Sequence, residues 1–271
     1  MPRALVIRTA GTNCDAEMVR AFELAGARTE LVHLDRLIAQ PARLEAFDLF
    51  GFPGGFSYGD DIASGRIFAM KVRERLYPAL REAAGRGCPM IGACNGFQVL
   101  VQIGLLPGPG LGEHRHTTEA PAQRVALTDN QDARFHDRWV SVVYDDASVC
   151  TWTRGLTAQA DPEWRGAAWQ LPVAHGEGRF ITDSPDVLPA LERAGQVVLR
   201  YRDNYNGSTG AVAGICDATG RIFGLMPHPE RFLEWTRHPY WTRLQPALRL
   251  TDTPGLTMFK NAVDAVSHAQ V

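Results

Sequence analysis

No stretch of this 271-residue chain approaches the roughly 18 consecutive apolar residues that a membrane helix needs, so no membrane association is expected. Neither sign of charge dominates. The 28 Lys and Arg stand against 30 Asp and Glu, a formal net charge of −2, which offers no basic groove for nucleic acid and no charged tail. The N-terminus, MPRALVIRTAG, lacks the long apolar stretch and cleavage site of a signal peptide, and a cytoplasmic protein is expected. Cysteine is sparse: Cys14, Cys88, Cys94, Cys150 and Cys216 are odd in number and form no CxxC pair. Zinc ribbons and redox dithiols are thereby disfavoured, no metal site is expected, and most of these thiols should simply be buried. There is no internal repeat, no low-complexity segment and no P-loop or ATP-grasp sequence.

What is present is a chain with 45% hydrophobic residues, enough to bury a sizeable core. In the first hundred residues short apolar runs alternate with helical patterns. Strands are expected at 4–8, 29–34, 47–52 and 89–93. Helices are expected over Asp15 to Ala25, closed by Gly26, over Arg66 to Arg86, and over Asn95 to Leu106. Strands alternating with helices imply a parallel sheet covered on both faces. The second half is β-like at 124–128, 139–144, 178–182, 197–201, 211–216 and 222–226, with helices only at Pro185 to Ala194 and Gly255 to His268. The expected fold is α/β, a mostly parallel central sheet flanked by helices with added antiparallel strands. Residues 1–271 read as a single domain with longer loops near 106–121 and 234–253, because motifs on both sides of each loop must meet in one site.

Gly92-Ala93-Cys94-Asn95-Gly96 has the G-x-nucleophile-x-G pattern of a nucleophile elbow, with Cys in place of Ser. A strand that ends and a helix that begins at once leave the nucleophile in a strained conformation, and side chains two residues either side would collide. The thiol then projects at the strand's C-terminal end beside a helix N-terminus, whose dipole favours thiolate. The backbone N–H of Asn95 points to the same place and can stabilise an oxyanion. Against this stands a buried Cys in a Gly-rich turn, but an apolar strand before and an apolar helix after are the context an elbow requires.

A thiolate nucleophile needs an imidazole for proton traffic, and the imidazole needs a carboxylate to fix its tautomer. Pro227-His228-Pro229-Glu230 follows a predicted strand, and residues two apart on an extended segment project the same way. His228 is therefore the candidate base and Glu230 its orienter; a surface turn with a solvated His and Glu is the competing interpretation. The turn FGFPGGFSYGDD (50–61) follows the third strand, and Gly55 N–H is the natural second oxyanion donor. Phe56, Tyr58 and Asp60 on this loop are open to either packing or substrate contact. His33, His136, His238 and His268 have no partner at useful spacing, and His114 and His116 sit in a polar loop without a third metal ligand.

PGGFSYGD, GACNGFQ and MPHPER, in this order, resemble the triad-type glutamine amidotransferases. More closely, with GTNCDAE (11–17), AHGEGRF (174–180), RYRDNYNGS (200–208) and AGICDATGRIFGLMPHPER (213–231), the chain is similar to the glutaminase component of phosphoribosylformylglycinamidine synthase over roughly residues 3–235. The resemblance implies that Cys94 attacks the glutamine side-chain amide and that His228 serves ammonia release and then water. It implies that Gly55 and Asn95 form the oxyanion hole. Gln98 would help hold the glutamine α-amino and carboxylate groups, with Phe56 and the stretch His175, Gly176 and Glu177 lining the pocket. Ammonia would pass to a large synthetase subunit in de novo purine biosynthesis. The resemblance implies no cofactor in this chain, with ATP and Mg on that synthetase, and leaves a small third subunit open. The chain departs from the family in reading RTAGTNCD where Phe-Pro more often precedes the Gly, and its segment 233–244 is similar to the end of the larger fused form. A glutaminase for another acceptor, a stand-alone cysteine hydrolase and a non-catalytic regulatory subunit are the alternatives.

Overall fold

The computed structural model describes residues 1–109, 119–156, 166, 169–244 and 246–267. The polar-loop residues His114 and His116, most of the predicted loop at 106–121, and His268 lie outside them.

The first half follows the expected alternation: β1 (Arg3–Arg8), α1 (Asp15–Leu24), β2 (Arg28–His33), α2 (Leu34–Ala39), β3 (Leu49–Phe52), α3 (Arg66–Arg75), α4 (Tyr77–Gly85), β4 (Met90–Ala93) and α5 (Asn95–Gln102). The second half supplies β5 (Val125–Asp129), β6 (His136–Tyr144), β7 (Gln170–His175), β8 (Glu177–Thr182), α6 (Val187–Arg193), β9 (Val197–Tyr201), β10 (Val212–Cys216), β11 (Ile222–Leu225) and α7 (Pro254–Ser267). One nine-stranded sheet runs β2-β1-β3-β4-β11-β10-β9-β6-β7, and β5 pairs with β8 in a second. Neighbours from β2 to β11 are parallel; from β11 to β7 they are antiparallel.

The parallel strands β3, β4 and β11 are buried at every position, as expected when helices cover both faces of a sheet. On one face α1 and α7 meet through Phe22 and Phe259, ring centroids 5.0 Å apart, with Trp152 beside both. On the other, α5 is buried from Asn95 through Val101.

Four differences from the sequence expectation stand out. Helix α2 falls where no helix was expected. The helix expected over Arg66 to Arg86 is two, broken at Leu76 (φ −119°, ψ −11°). Pro78 has no N–H to continue the first helix and fits the opening turn of the second. The helix expected to reach Leu106 stops at Gln102, where Gly104 at φ +83° lets Leu105 N–H return to Leu100 O at 3.1 Å. Strand β7 was not expected at all, because Pro172 interrupts its pattern. It occupies the sheet edge, where a residue without an N–H is tolerated.

Candidate active site

Adjacent parallel strands β1, β3, β4 and β11 end on the same edge of the sheet, and the segments after them converge. This C-terminal edge is where open α/β sheets bind ligands. After β4, Cys94 caps α5 with φ +51° and ψ −109°, a conformation L-residues rarely adopt. The flanking glycines are required by contact. A Cβ on Gly96 would lie 1.8 Å from Phe52 O, and one on Gly92 would lie 2.5 Å from Gly96 O. Cys94 is 5% exposed, with Sγ 3.7 Å from Ala174 O of β7. Asn95 N–H heads α5 and has no carbonyl one turn earlier in the helix to bond.

After β11, His228 and Glu230 are both 1% exposed, and Nδ1 lies 2.7 Å from Glu230 Oε1. Since the carboxylate accepts there, Nδ1 carries the proton and Nε2 is left for exchange. Nε2 has no hydrogen-bond partner among the described residues. Burial works against the imidazolium. The Glu230 carboxylate and the Cys94 and Cys14 thiols outweigh it and hold His228 well above the usual histidine range. The His228 N–H donates to Pro172 O at 2.8 Å, so the unexpected strand β7 braces the segment that carries it.

After β3, the Gly54–Gly55 turn lies against the turn after β1. Asn13 N–H and Cys14 N–H both donate to Gly54 O, at 3.3 and 3.2 Å, and Phe56 N–H donates to Gly11 O at 2.9 Å. In this isolated bridge between Thr12 and Gly55, the Gly55 N–H turns away from the partner backbone. A Cβ there would sit 2.7 Å from Gly11 O, so only glycine fits.

The family model for the CobB/CobQ-like glutamine amidotransferase domain matches residues 1–266. The chain belongs to the glutamine amidotransferase family. It is 41% identical over 269 residues, 96% of each chain, to a protein of Dehalococcoides mccartyi named phosphoribosylformylglycinamidine synthase subunit PurQ. A Methanococcus maripaludis protein of the same name is 38% identical over 283 residues, 97% of each chain. A solved structure described as PurLQS from Thermotoga maritima superposes with a TM-score of 0.69 at 29% identity, covering 98% of this chain and 99% of that one.

In this amidotransferase the other expected pocket residues divide. His175, Gly176 and Glu177 form the tight link between β7 and β8, beside Cys94. His175 is 3% exposed and its Nε2 lies 2.7 Å from Tyr205 Oη. Burial, then the charge of His228 and of His136, push it down to about 3, so it is neutral at physiological pH. Gly176 O accepts from Asn130 N–H at 2.8 Å. Glu177 accepts from Ser64 N–H through Oε2 at 3.2 Å. Gln98 is 3% exposed and its amide is engaged at both ends: Oε1 with Asn95 Nδ2 at 3.1 Å, Nε2 with Glu177 O at 2.7 Å. Phe56 is 44% exposed, with its ring 6.1 Å from that of Phe135 at the rim.

Sequence reasoning missed Cys14, Tyr205 and Ser64 as neighbours of the site; Cys14 and Tyr205 lie in GTNCDAE and RYRDNYNGS, which entered only through resemblance, and Ser64 follows the FGFPGGFSYGDD turn with no signal of its own. It left Asp60 open. Asp60 Oδ1 lies 3.4 Å from Asn95 Nδ2 and Oδ2 accepts from Ser64 Oγ at 2.9 Å. Burial raises its carboxyl, opposed by hydrogen bonds from Ser64, Gly65 and Asn95, while Glu177 adds to the rise. Cys14, His228 and Glu230 offer ligand atoms within 4.8 Å of one another. Arg231 Nη2 lies 3.0 Å from Cys14 Sγ, though, and Glu230 Oε1 is already bonded to Nδ1. A guanidinium in that place disfavours a second cation.

Proposed function

We propose that this chain hydrolyses glutamine to glutamate and ammonia. It delivers the ammonia to a separate synthetase subunit that converts formylglycinamide ribonucleotide to formylglycinamidine ribonucleotide in purine biosynthesis. The observation that carries the chemistry is a strained elbow cysteine beside an imidazole that is bonded through Nδ1 to a buried carboxylate. The observation that supports the acceptor is the near-full-length likeness to proteins named as PurQ subunits of that synthase.

The Cys94 thiolate attacks the side-chain carbonyl carbon of glutamine, and the carbonyl oxygen becomes an oxyanion held by Gly55 and Asn95 N–H. The C–N bond breaks as the His228 imidazolium gives its proton to the leaving nitrogen, releasing ammonia and leaving a thioester. Neutral His228 then takes a proton from water, which attacks the thioester. Glutamate leaves and the thiol is restored. Glu230 keeps Nδ1 protonated throughout. The Glu177 and Asp60 carboxylates suit the α-ammonium of glutamine. His175, Gly176 and Phe56 shape the pocket wall, and Gln98 holds Asn95 in place. ATP and Mg²⁺ belong to the synthetase. One sheet drawing strands from both halves of the chain supports a single amidotransferase domain. Five free, buried cysteines suit a reducing compartment and support a cytoplasmic location. No helix among the described residues is long and apolar enough to cross a membrane.

The test mixes purified chain, its large synthetase partner and glutamine, and measures glutamate. Glutamate release is expected to fall by about 10⁴-fold or more in Cys94→Ala. Unchanged release in that variant, or none from the wild type with the partner present, would sink the proposal.

A further inference from the structure

We propose that Cys14 is a positioning residue that locks His228, Glu230 and the Gly54–Gly55 turn into one unit. It caps α1 and is 1% exposed. Its backbone N–H holds Gly54 O at 3.2 Å, so it fixes the turn whose next N–H faces the reacting oxygen. Its sulfur accepts from Arg231 Nη2 at 3.0 Å and lies 3.2 Å from Asn13 Oδ1, to which the S–H donates. The same sulfur is within 4.8 Å of ligand atoms of both His228 and Glu230. A Cβ on Gly54 would be 3.3 Å from Sγ and 2.5 Å from His228 Cε1, which shows how tightly turn, thiol and ring stack. Thus the segments after β1, β3 and β11 are joined through one residue, by its backbone N–H and its thiol.

The thiol does two physical jobs. With its S–H spent on Asn13, the sulfur presents only lone pairs to the imidazole and favours its protonated form. It also occupies Arg231. Without it, the guanidinium would be free to compete with Nδ1 for the Glu230 carboxylate, since Glu230 Oε2 has no partner among the described residues. The groups facing His228 are Cys94 on the elbow, Cys14 at the head of α1, Glu230 on its own segment and His175 at the end of β7. Arg231 reaches it through Cys14.

The proposal rests on the glutaminase function above, but its test needs no glutamine. The His228 ring is titrated by NMR in chain labelled with ¹³C at histidine Cε1, and the rate of Cys94 alkylation by iodoacetamide is read by mass spectrometry. Cys14→Val fills the site without polar atoms, Cys14→Ala empties it, and Cys14→Ser keeps a donor and an acceptor. In Val and Ala variants the His228 midpoint is expected to drop by about one unit, a tenfold change in its protonation constant, with the pH profile of Cys94 alkylation moving down in step. The Ser variant should recover most of both. Should the Ala and Val variants fail to fold, Asn13→Ala frees the S–H from Asn13 Oδ1 and is expected to lower both readouts in the same direction, whereas Arg231→Met, which removes a cation, is expected to raise the His228 midpoint. A folded variant with lower Tm but unchanged titration and alkylation would overturn the proposal and reduce Cys14 to packing. Absent glutaminase activity in the wild type would overturn the proposed function while leaving this result standing.

Discussion

Cys94 is approached from two regions of the sheet that are built differently. From the parallel side, β4 and β11 bring the elbow and the His228 segment together by backbone alone, and both strands are buried at every position. From the antiparallel side, the β7–β8 link arrives by way of β6 and is held by side chains as well as by the Asn130 N–H to Gly176 O bond. Asn130 Nδ2 donates to His175 O at 2.9 Å, Gln98 Nε2 donates to Glu177 O at 2.7 Å, and Tyr205 pairs with His175. A backbone-built wall cannot shift without breaking the sheet. A side-chain-built wall can be retuned one residue at a time, which suits substrate recognition better than bond making. Substitutions on the two walls should therefore fail differently.

The sharpest break comes at Gly96. Its Cβ would lie 1.8 Å from the Phe52 carbonyl, a backbone atom of the neighbouring strand. Gly96→Ala is expected to cost about 3 kcal/mol or more of stability and to abolish activity with it, as overpacking against fixed backbone does. Urea unfolding measures the loss. A folded, active variant would show that the elbow is not fixed by backbone contact.

Next in size is Glu230→Gln. The amide is close to isosteric but removes the carboxylate that lies 2.7 Å from Nδ1. Glutamate release is expected to fall roughly 10²- to 10⁴-fold with little change in Tm, the range seen when a triad orienter is neutralised. A drop in stability as large as that of Gly96→Ala would mean that the parallel wall does not separate chemistry from folding.

On the other wall, Tyr205→Phe deletes a single hydrogen bond, 2.7 Å from His175 Nε2. At about 1 kcal/mol for such a bond, the expected effect is roughly fivefold, felt in KM more than in kcat. A fall confined to kcat would place Tyr205 and His175 with the reacting atoms instead.

The same division decides what was legible in the sequence. The parallel wall announces itself. Buried strands read as apolar runs, and Gly92, Gly96 and the Pro-His-Pro-Glu segment are punctuation that an elbow and a stiff strand end require. The antiparallel wall does not. Strand β7 alternates weakly and contains Pro172, so local pattern argues against it, and only its place at the sheet edge makes it a strand. Gln98 shows a subtler limit. Helical spacing correctly put it one turn past Cys94, but its bond to Glu177 depends on β8, some 80 residues away in sequence. Cys14 looked like any buried thiol because its contact with Arg231 spans 217 residues.

The smallest effect is the most discriminating, because the two walls each carry a buried histidine of opposite sign. His175 is pushed down to about 3 in the folded chain, below its ordinary 6.5. Between those values the unfolded chain takes up a proton that the folded chain refuses, so this group's contribution to stability is lost as pH falls from 6.5 toward 3. His228 is raised, chiefly because Glu230 and the thiols overcome burial. Its contribution is fully present below the ordinary histidine value and is lost as pH rises through the folded one. Each can steepen the stability curve by at most about 1.4 kcal/mol per pH unit. Subtracting variant from wild-type urea curves removes the background of other carboxylates. His175→Gln is expected to flatten only the acid limb, and His228→Gln only the limb above the usual histidine range. If both variants flattened the same limb, the two histidines would share one environment, and the contrast between a backbone-built and a side-chain-built wall would not extend to their protons.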